Sequence, residues 1–172
     1  MNKIACNSIM LSCTNGIANN ATGILKRATG PTDPYTEILD TWKTAGYDLT
    51  NVEWINYYPD KLFVDWFARE VNATPRYAWV SKLMPGKTAP WHWDVNDRTD
   101  EWLADGELVR WSCFLDRRKF RFGHVFLVED KCYYNQEQGT IIKWDNWNSY
   151  HAKSNSGSDP FYMMHFLGKP ND

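Results

Sequence analysis

The sequence predicts a mainly β protein, a β-sandwich or jelly roll with two or three N-terminal helices packed on one side. Short stretches rich in β-branched and aromatic residues follow residue 76, and Gly, Asn or Asp separates most of them, as in antiparallel strands joined by turns. Segments with helical spacing of apolar residues precede them. The 172 residues suffice for one domain with a single core. We therefore expect one domain over 1–172, with an arm and supporting helices in 1–75 and the β core in 76–168.

Two helices and a strand are predicted before the β core. The first thirty residues are rich in Asn, Thr, Ser and Gly, which is typical of an irregular arm or an edge strand. Asp33 is a candidate N-cap for a helix over residues 34–46, which has Pro at its first position and Gly at its end. A short strand over 52–58 follows, and then a helix whose apolar stripe runs from 62 to 71.

The β core is predicted to contain about eight short strands. They cover residues 77–84, 92–95, 107–115, 125–128, 131–134, 140–144, 150–154 and 161–167. A run of helices followed by a run of strands favours segregated layers, with the helices on one side of an antiparallel sandwich or jelly roll.

Composition excludes several classes of function. The net charge of −2 is too small to indicate nucleic acid or an anionic membrane as the main partner, and no apolar run approaches the roughly 20 residues that span a bilayer. The N-terminal segment is a poor signal peptide, because polar residues interrupt it. The four cysteines lack CxxC spacing and are expected to be reduced, in a cytoplasmic protein. They are Cys6, Cys13, Cys113 and Cys132.

One short segment carries the strongest chemical signal. After the turn at Pro85-Gly86, His92 and Asp94 lie two residues apart, so in a strand their side chains would share a face. A second imidazole, His151, lies far enough along the chain for a jelly roll to bring it back beside the first. Two His and one carboxylate are the ligands of non-haem Fe(II) oxygenases. The pair alone fits a packing cluster equally well, with Asp94 capping a turn.

The wider context resembles the 2-oxoglutarate- and Fe(II)-dependent oxygenases. In that superfamily a Pro-Gly turn precedes a strand carrying His-x-Asp, as in residues 84–94. A Gly-led apolar strand and an acidic turn precede the distal His and a nearby Asn, here Gly139, Asp145, His151 and Asn155. The chain is most similar to the aspartyl/asparaginyl β-hydroxylase-like and prolyl-hydroxylase-like branches. The resemblance implies a double-stranded β-helix (cupin-like) and an Fe(II) site at His92, Asp94 and His151.

The resemblance also implies 2-oxoglutarate as cosubstrate, but the usual cation for its distal carboxylate is not in its usual place. That residue commonly lies about ten positions after the distal His, where this chain has Phe161 and Tyr162. The candidate replacements are Arg110, Ser81 and His165, of which Arg110 has apolar neighbours and suits a carboxylate best. Lys82 and Lys143 are further cations on predicted strands.

We therefore expect an iron- and 2-oxoglutarate-dependent oxygenase, a hydroxylase of a protein side chain or a small molecule, with no catalytic side chain beyond the metal ligands. The aromatic residues expected to line the substrate cavity are Trp91, Trp93, Tyr150 and Tyr162. The main alternative is a cupin-like metal-binding protein that does not use 2-oxoglutarate, either another metal dioxygenase or a non-catalytic binding module. A third is a phage- or virus-like accessory protein with a structural role.

Overall fold

The structure of the protein is a computed structural model that describes residues 2–3, 44–46, 54–57, 59, 61–94, 107–116, 123–144 and 146–172. Its one described helix is α1, Lys61–Glu70. The described strands are β1 Asn2–Lys3, β2 Trp54–Tyr57, β3 Ala73–Leu83, β4 Thr88–His92, β5 Val109–Phe114, β6 His124–Val128, β7 Lys131–Tyr134, β8 Thr140–Lys143, β9 His151–Asn155 and β10 Phe161–Pro170.

The described strands form two antiparallel sheets. The large sheet has the order β1-β8-β5-β10-β3-β2, and the small sheet has the order β4-β9-β6-β7. From β3 to β10 the chain crosses repeatedly between the sheets, with β3, β5, β8 and β10 in the large one and β4, β6, β7 and β9 in the small one. This is the double-stranded β-helix, or jelly roll, so the predicted fold class is confirmed.

Strand β10 is the centre of the large sheet and separates two cores. It pairs with β3 along its whole length and with β5 over residues 163–168. Because side chains alternate in a strand, Met164 and Phe166 face α1, whereas Phe161 and Met163 face the small sheet. Buried residues on the first side form the helix-side core, which includes Phe63, Phe67, Val80, Trp111, Cys113, Met164 and Phe166. Those on the second side form the inter-sheet core: Leu83, Phe114, Phe126, Val128, Ile142, Trp144, Phe161 and Met163.

The number of helices is smaller than predicted within the part of the chain that the structure describes. The helix predicted over 62–71 is α1, and its amphipathic pattern places Phe63 and Phe67 in the helix-side core. The helix predicted over 34–46 lies outside the described residues except for its last three. Gly46 there has a φ of 85°, as expected of a glycine that ends a helix.

The strand predicted over 92–95 was wrong in its bounds. Strand β4 instead ends at His92, and Trp93 and Asp94 follow it outside the ladder. Pro90 lies within β4, which is at the edge of the small sheet, where a residue without an N–H is tolerated. The pairing with β9 also shifts between Ala89 and His92. The shift lies directly before His92, so it affects where His92 and Asp94 lie relative to β9.

Two further predictions bear on the class of protein. No described helix is long and apolar enough to cross a bilayer. Of the four cysteines, Cys113 is buried and Cys132 is exposed, and the two form no disulfide with each other; Cys6 and Cys13 lie outside the described residues, so the reduced state of all four stays a prediction.

Candidate metal centre

The structure brings the three predicted metal ligands together at the end of the small sheet. His92, the last residue of β4, is directly opposite His151, the first residue of β9, and their ring centroids are 4.2 Å apart. Asp94 lies beside both: its carboxylate oxygens are 3.7 Å from His92 Nε2 and 3.7 Å from His151 Nε2. One potential ligand atom from each residue lies within 4.8 Å of the others. The 3.7 Å separations are too long for hydrogen bonds. The three groups therefore lie close together around a common point without being bonded to one another.

Backbone carbonyls orient both imidazoles toward that point. His92 Nδ1 lies 2.6 Å from the carbonyl oxygen of Pro90, and His151 Nδ1 lies 3.0 Å from that of Ser149. A carbonyl can only accept, so each Nδ1 carries the proton and donates it. Each Nε2 then keeps its lone pair directed toward Asp94. An N–H held by a carbonyl in this way is the usual support of a metal-binding histidine.

The protonation states of the three residues also suit a divalent metal. Burial lowers the pKa of His92 and of His151, and the nearby Asp94 carboxylate opposes this only in part. Burial by itself would raise the pKa of Asp94, but the charge of Arg110 and its hydrogen bond to the carboxylate act against burial and hold that pKa below its usual range. Two neutral imidazoles and one ionised carboxylate therefore fit a divalent transition metal.

Arg110 is a positive group in direct contact with this triad. It lies on β5, is 1% exposed, and donates from Nη1 to Asp94 Oδ2 at 2.5 Å. Its guanidinium carbon lies 3.7 Å from the ring centroid of Trp144 and 4.9 Å from that of Trp79, so two indoles enclose it. Arg110 Nε is a buried N–H without an acceptor among the described residues. Arg110, the residue predicted to bind the cosubstrate, is thus bonded to Asp94, one of the three predicted metal ligands.

His165 is the hub of a hydrogen-bond network on the large sheet. Arg110 Nη2 lies 3.1 Å from His165 Nδ1, and Ser112 Oγ lies 2.8 Å from the same atom. His165 Nε2 lies 3.2 Å from Ser81 Oγ. Trp144 Nε1 donates to Ser112 Oγ at 2.9 Å, which leaves the Ser112 hydroxyl proton for His165. The three predicted cosubstrate residues, Arg110, Ser81 and His165, are therefore joined in one network.

The surroundings of His165 favour a neutral ring over the cation that the sequence allowed. Burial lowers its pKa well below the ordinary value, and the charges of Arg110 and Lys153 lower it further. The hydrogen bonds agree with a neutral ring, because Nδ1 accepts from Arg110 and Ser112 while Nε2 donates to Ser81. A carboxylate neighbour would have been needed to keep the ring charged, and its neighbours are cations instead.

Lys153 is a site residue that the sequence interpretation missed. It lies on β9 two residues after His151, is 6% exposed, and donates from Nζ to Ser81 Oγ at 2.9 Å. Its ammonium is 4.2 Å from the ring centroid of Phe161, the residue at the position where a cation is usual in the superfamily. Burial lowers the pKa of Lys153 to about 7, and the charge of Asp116 opposes that shift. The signal was present, since strand alternation places positions 151 and 153 on one face.

The four aromatic residues predicted to line the cavity do not all do so. Tyr162 is an even-numbered residue of β10 and packs with the helix-side core, so that prediction was wrong in strand parity. Trp91 and Tyr150 are 44% and 53% exposed, and each is next to a ligand in the chain and so alternates to the other face. Trp93 packs edge-on against Tyr150, with ring centroids 5.0 Å apart. The indoles that enclose the site are instead those of Trp79 and Trp144.

Comparison with known proteins finds similarity in structure alone. No family model matches the sequence, and no curated protein matches it. A viral collagen prolyl hydroxylase from Paramecium bursaria Chlorella virus-1, solved with 2OG, is 12% identical, with 94% of this chain and 91% of that one covered and a TM-score of 0.43. A predicted oxalate decarboxylase from Thermotoga maritima is 14% identical, with 67% and 80% covered and a TM-score of 0.40. The Cnp3 cupin domain of Schizosaccharomyces pombe is 10% identical, with 72% and 73% covered and a TM-score of 0.38.

Those three proteins differ widely in what their names describe, and all of them are distant in sequence and in structure. Such likeness carries no argument about activity. What this chain does must therefore be inferred from the residues of its own site.

Proposed function

We propose that the chain is an Fe(II)- and 2-oxoglutarate-dependent oxygenase that hydroxylates a protein side chain or a small molecule. The observation that carries the proposal is the convergence of His92 Nε2, His151 Nε2 and the Asp94 carboxylate, with both imidazoles anchored through Nδ1. Two imidazoles and a carboxylate on one face would leave further coordination positions open to a cosubstrate and oxygen. Because the proton of each histidine is on Nδ1, each Nε2 is free to bind a metal without a change of tautomer.

The charges around the triad favour an anionic cosubstrate. Arg110 already neutralises Asp94, so the charge of a bound divalent ion would meet no second carboxylate among the described contacts of the triad. A buried excess of positive charge is costly unless an anion compensates it. The dianion 2-oxoglutarate would do so, and the buried Nε–H of Arg110 would offer a donor to it or to a bridging water.

When bound, Fe(II) and 2-oxoglutarate supply the activation of O₂, with one oxygen atom entering the substrate and the other entering succinate as CO₂ is released. The residues of the chain hold and orient these groups. Arg110 fixes the Asp94 carboxylate through Oδ2, and the rings of Trp144 and Trp79 fix the guanidinium in turn. The same rings keep water from one side of the site, which strengthens every charge interaction within it.

An anaerobic titration tests the proposal. Iron-loaded protein should develop the weak visible charge-transfer band of the iron chelate as 2-oxoglutarate is added. His151→Gln should bind no iron and give no band. His124→Gln is the matched control, because His124 is buried on the small sheet but does not belong to the triad, and it should keep the band. Iron bound at one equivalent per chain without a band would contradict the use of 2-oxoglutarate.

The alternative is a cupin-like metal-binding protein that does not use 2-oxoglutarate. The observation in its favour is Phe161, an uncharged residue at 0% exposure where the superfamily usually places the cation for the distal carboxylate. The same titration separates the two proposals, because the alternative predicts stoichiometric metal without the chelate band.

A further inference from the structure

We propose that Lys153, supported by the Ser81 hydroxyl, binds the remote carboxylate of a 2-oxo dicarboxylic acid whose other end is held at the triad. The inference rests on the proposed function and makes it more specific, because it assigns the cation that selects a dicarboxylate over a monocarboxylate. Three observations support it: the burial of the ammonium, its place along β9, and the hydrogen bonds that fix it.

The ammonium of Lys153 is a buried charge with little compensation. It is 6% exposed, and its hydrogen bond among the described residues goes to the neutral hydroxyl of Ser81. Asp116 acts on it electrostatically, but that carboxylate also accepts from the backbone N–H of Tyr162 at 2.7 Å. An ammonium has three donors, and buried lysines are rare unless paired. The remaining donors are suited to an anion.

The position of Lys153 along β9 matches the length of the ligand. Two residues of a strand span about 6.6 Å, and residues two apart share a face, so Lys153 follows the proposed ligand His151 along the same face of β9. In an extended chain three bonds span about 3.8 Å, which is the separation of the keto carbon and the remote carboxylate carbon of a five-carbon 2-oxo diacid. The ligand is therefore shorter than the spacing of the two side chains. The contact with the metal at one end and the contact with the ammonium at the other would span the remaining distance.

The surroundings of Lys153 hold the ammonium in place before a ligand arrives. Ser81 Oγ accepts from Lys153 and from His165 Nε2, so its own proton is directed to the carbonyl oxygen of Met163 at 3.3 Å. The Phe161 ring, 4.2 Å from the ammonium, stabilises the positive charge and covers it with an apolar surface. The phenyl ring, on the large sheet, therefore stabilises a cation that belongs to β9 of the small sheet.

Competition between two ligands tests the proposal. Iron-loaded wild-type protein should bind 2-oxoglutarate more tightly than 2-oxopentanoate, in which a methyl group replaces the remote carboxylate. Lys153→Met should raise the apparent Kd for 2-oxoglutarate about 10- to 100-fold, bring it close to that for 2-oxopentanoate, and leave iron binding unchanged. Lys153→Arg should restore part of the preference. Lys143→Met is the matched control, because Lys143 is exposed on β8, and it should behave as wild type.

The outcomes separate this inference from the proposed function. A preference for 2-oxoglutarate that survives in folded Lys153→Met would overturn the assignment of Lys153 and leave the proposed function standing. Iron-loaded wild-type protein that binds no 2-oxoglutarate would overturn both. If circular dichroism shows that Lys153→Met does not fold, Ser81→Ala decides the matter. Ser81→Ala should raise the apparent Kd for 2-oxoglutarate several-fold more than that for 2-oxopentanoate. An unchanged ratio of the two Kd values would overturn the assignment.

Discussion

The small sheet and the residues after β4 carry the three proposed metal ligands, whereas the large sheet contributes the polar groups that face them. His92 and His151 lie at strand ends, and Asp94 lies beyond one. By contrast, Arg110 and His165 lie within the paired strands β5 and β10, where the ladder continues on both sides of them. The positions of His92, His151 and Asp94 therefore depend on a few local backbone contacts. Arg110 and His165, by contrast, are held by the pairing of the large sheet. Substitutions on the two sheets should separate metal binding from stability.

The largest loss of stability should follow a change in the large sheet away from the metal. Phe166 is 0% exposed and packs on Phe67 and Trp111, with ring centroids 5.2 and 5.8 Å away. Phe166→Ala should lower the free energy of unfolding by about 4 kcal/mol through lost burial and a cavity, as measured by urea denaturation. The folded variant should still bind one metal ion. Leu62→Ala, at a site 81% exposed, should change stability by less than about 0.5 kcal/mol.

Asp94→Ala should affect both sheets, because Asp94 lies beside the two histidines of the small sheet and accepts from Arg110 of the large sheet. The change removes a metal ligand and leaves the guanidinium of Arg110 buried without its carboxylate. We expect metal binding to be lost and the metal-free protein to be destabilised by about 3 kcal/mol. Asp65→Ala is the control, since Asp65 pairs with Lys61 on the exposed side of α1 and should cost less than about 1 kcal/mol. Wild-type stability in metal-free Asp94→Ala would mean that the Arg110 pair contributes nothing.

A smaller effect should follow from a change in the network on the large sheet. Trp144→Phe keeps an aromatic ring beside Arg110 but removes the N–H that donates to Ser112 Oγ. The expected cost is about 1 kcal/mol in thermal or urea unfolding, with metal affinity nearly unchanged. Tyr134→Phe, on an exposed ring of β7, should be neutral. A large loss of metal affinity in Trp144→Phe would show that the two sheets are more strongly coupled than we infer.

The smallest effect on stability should accompany a large loss of metal. His151 is neutral when buried, so His151→Gln removes no charge from the metal-free protein and should change its stability by less than about 1 kcal/mol. Metal affinity should fall by more than the roughly 100-fold that the loss of a ligand-orienting group costs. Calorimetric titration with Co(II) and urea denaturation of the same sample provide both values. Metal affinity retained at the wild-type level would exclude His151 as a ligand.

Local patterns in the sequence predicted the strands well but not their pairing. Strands β6 and β7 were placed to within one residue, because a Glu-Asp turn separates two clear apolar runs. Strand β3 is longer than predicted, since its first residues pair with the end of β10 beyond a register shift at Leu167 and Gly168. Long-range partners of this kind leave no periodic signal in either strand alone.

Strand alternation and ligand chemistry were enough to predict which residues form the triad, but not which residues contact it. They predicted that His92, Asp94 and His151 lie together, which the structure shows, and their role as metal ligands stays a prediction. The same alternation, applied to β9, would have placed Lys153 on the face of His151. The contact of Arg110 with Asp94 joins residues on different sheets, so only the fold could show it. Tyr162 was misplaced because an apolar strand buried on both faces does not indicate which side faces the cavity.

The most direct test is a crystal structure of the protein grown anaerobically with Fe(II) and 2-oxoglutarate, with anomalous diffraction data collected at the iron edge. We expect one strong peak within bonding distance of His92 Nε2, His151 Nε2 and an oxygen of Asp94, and the remote carboxylate of 2-oxoglutarate against the Lys153 ammonium. Iron at another position, or crystals without an anomalous peak between these three residues at saturating Fe(II), would contradict the claim that they form a metal site.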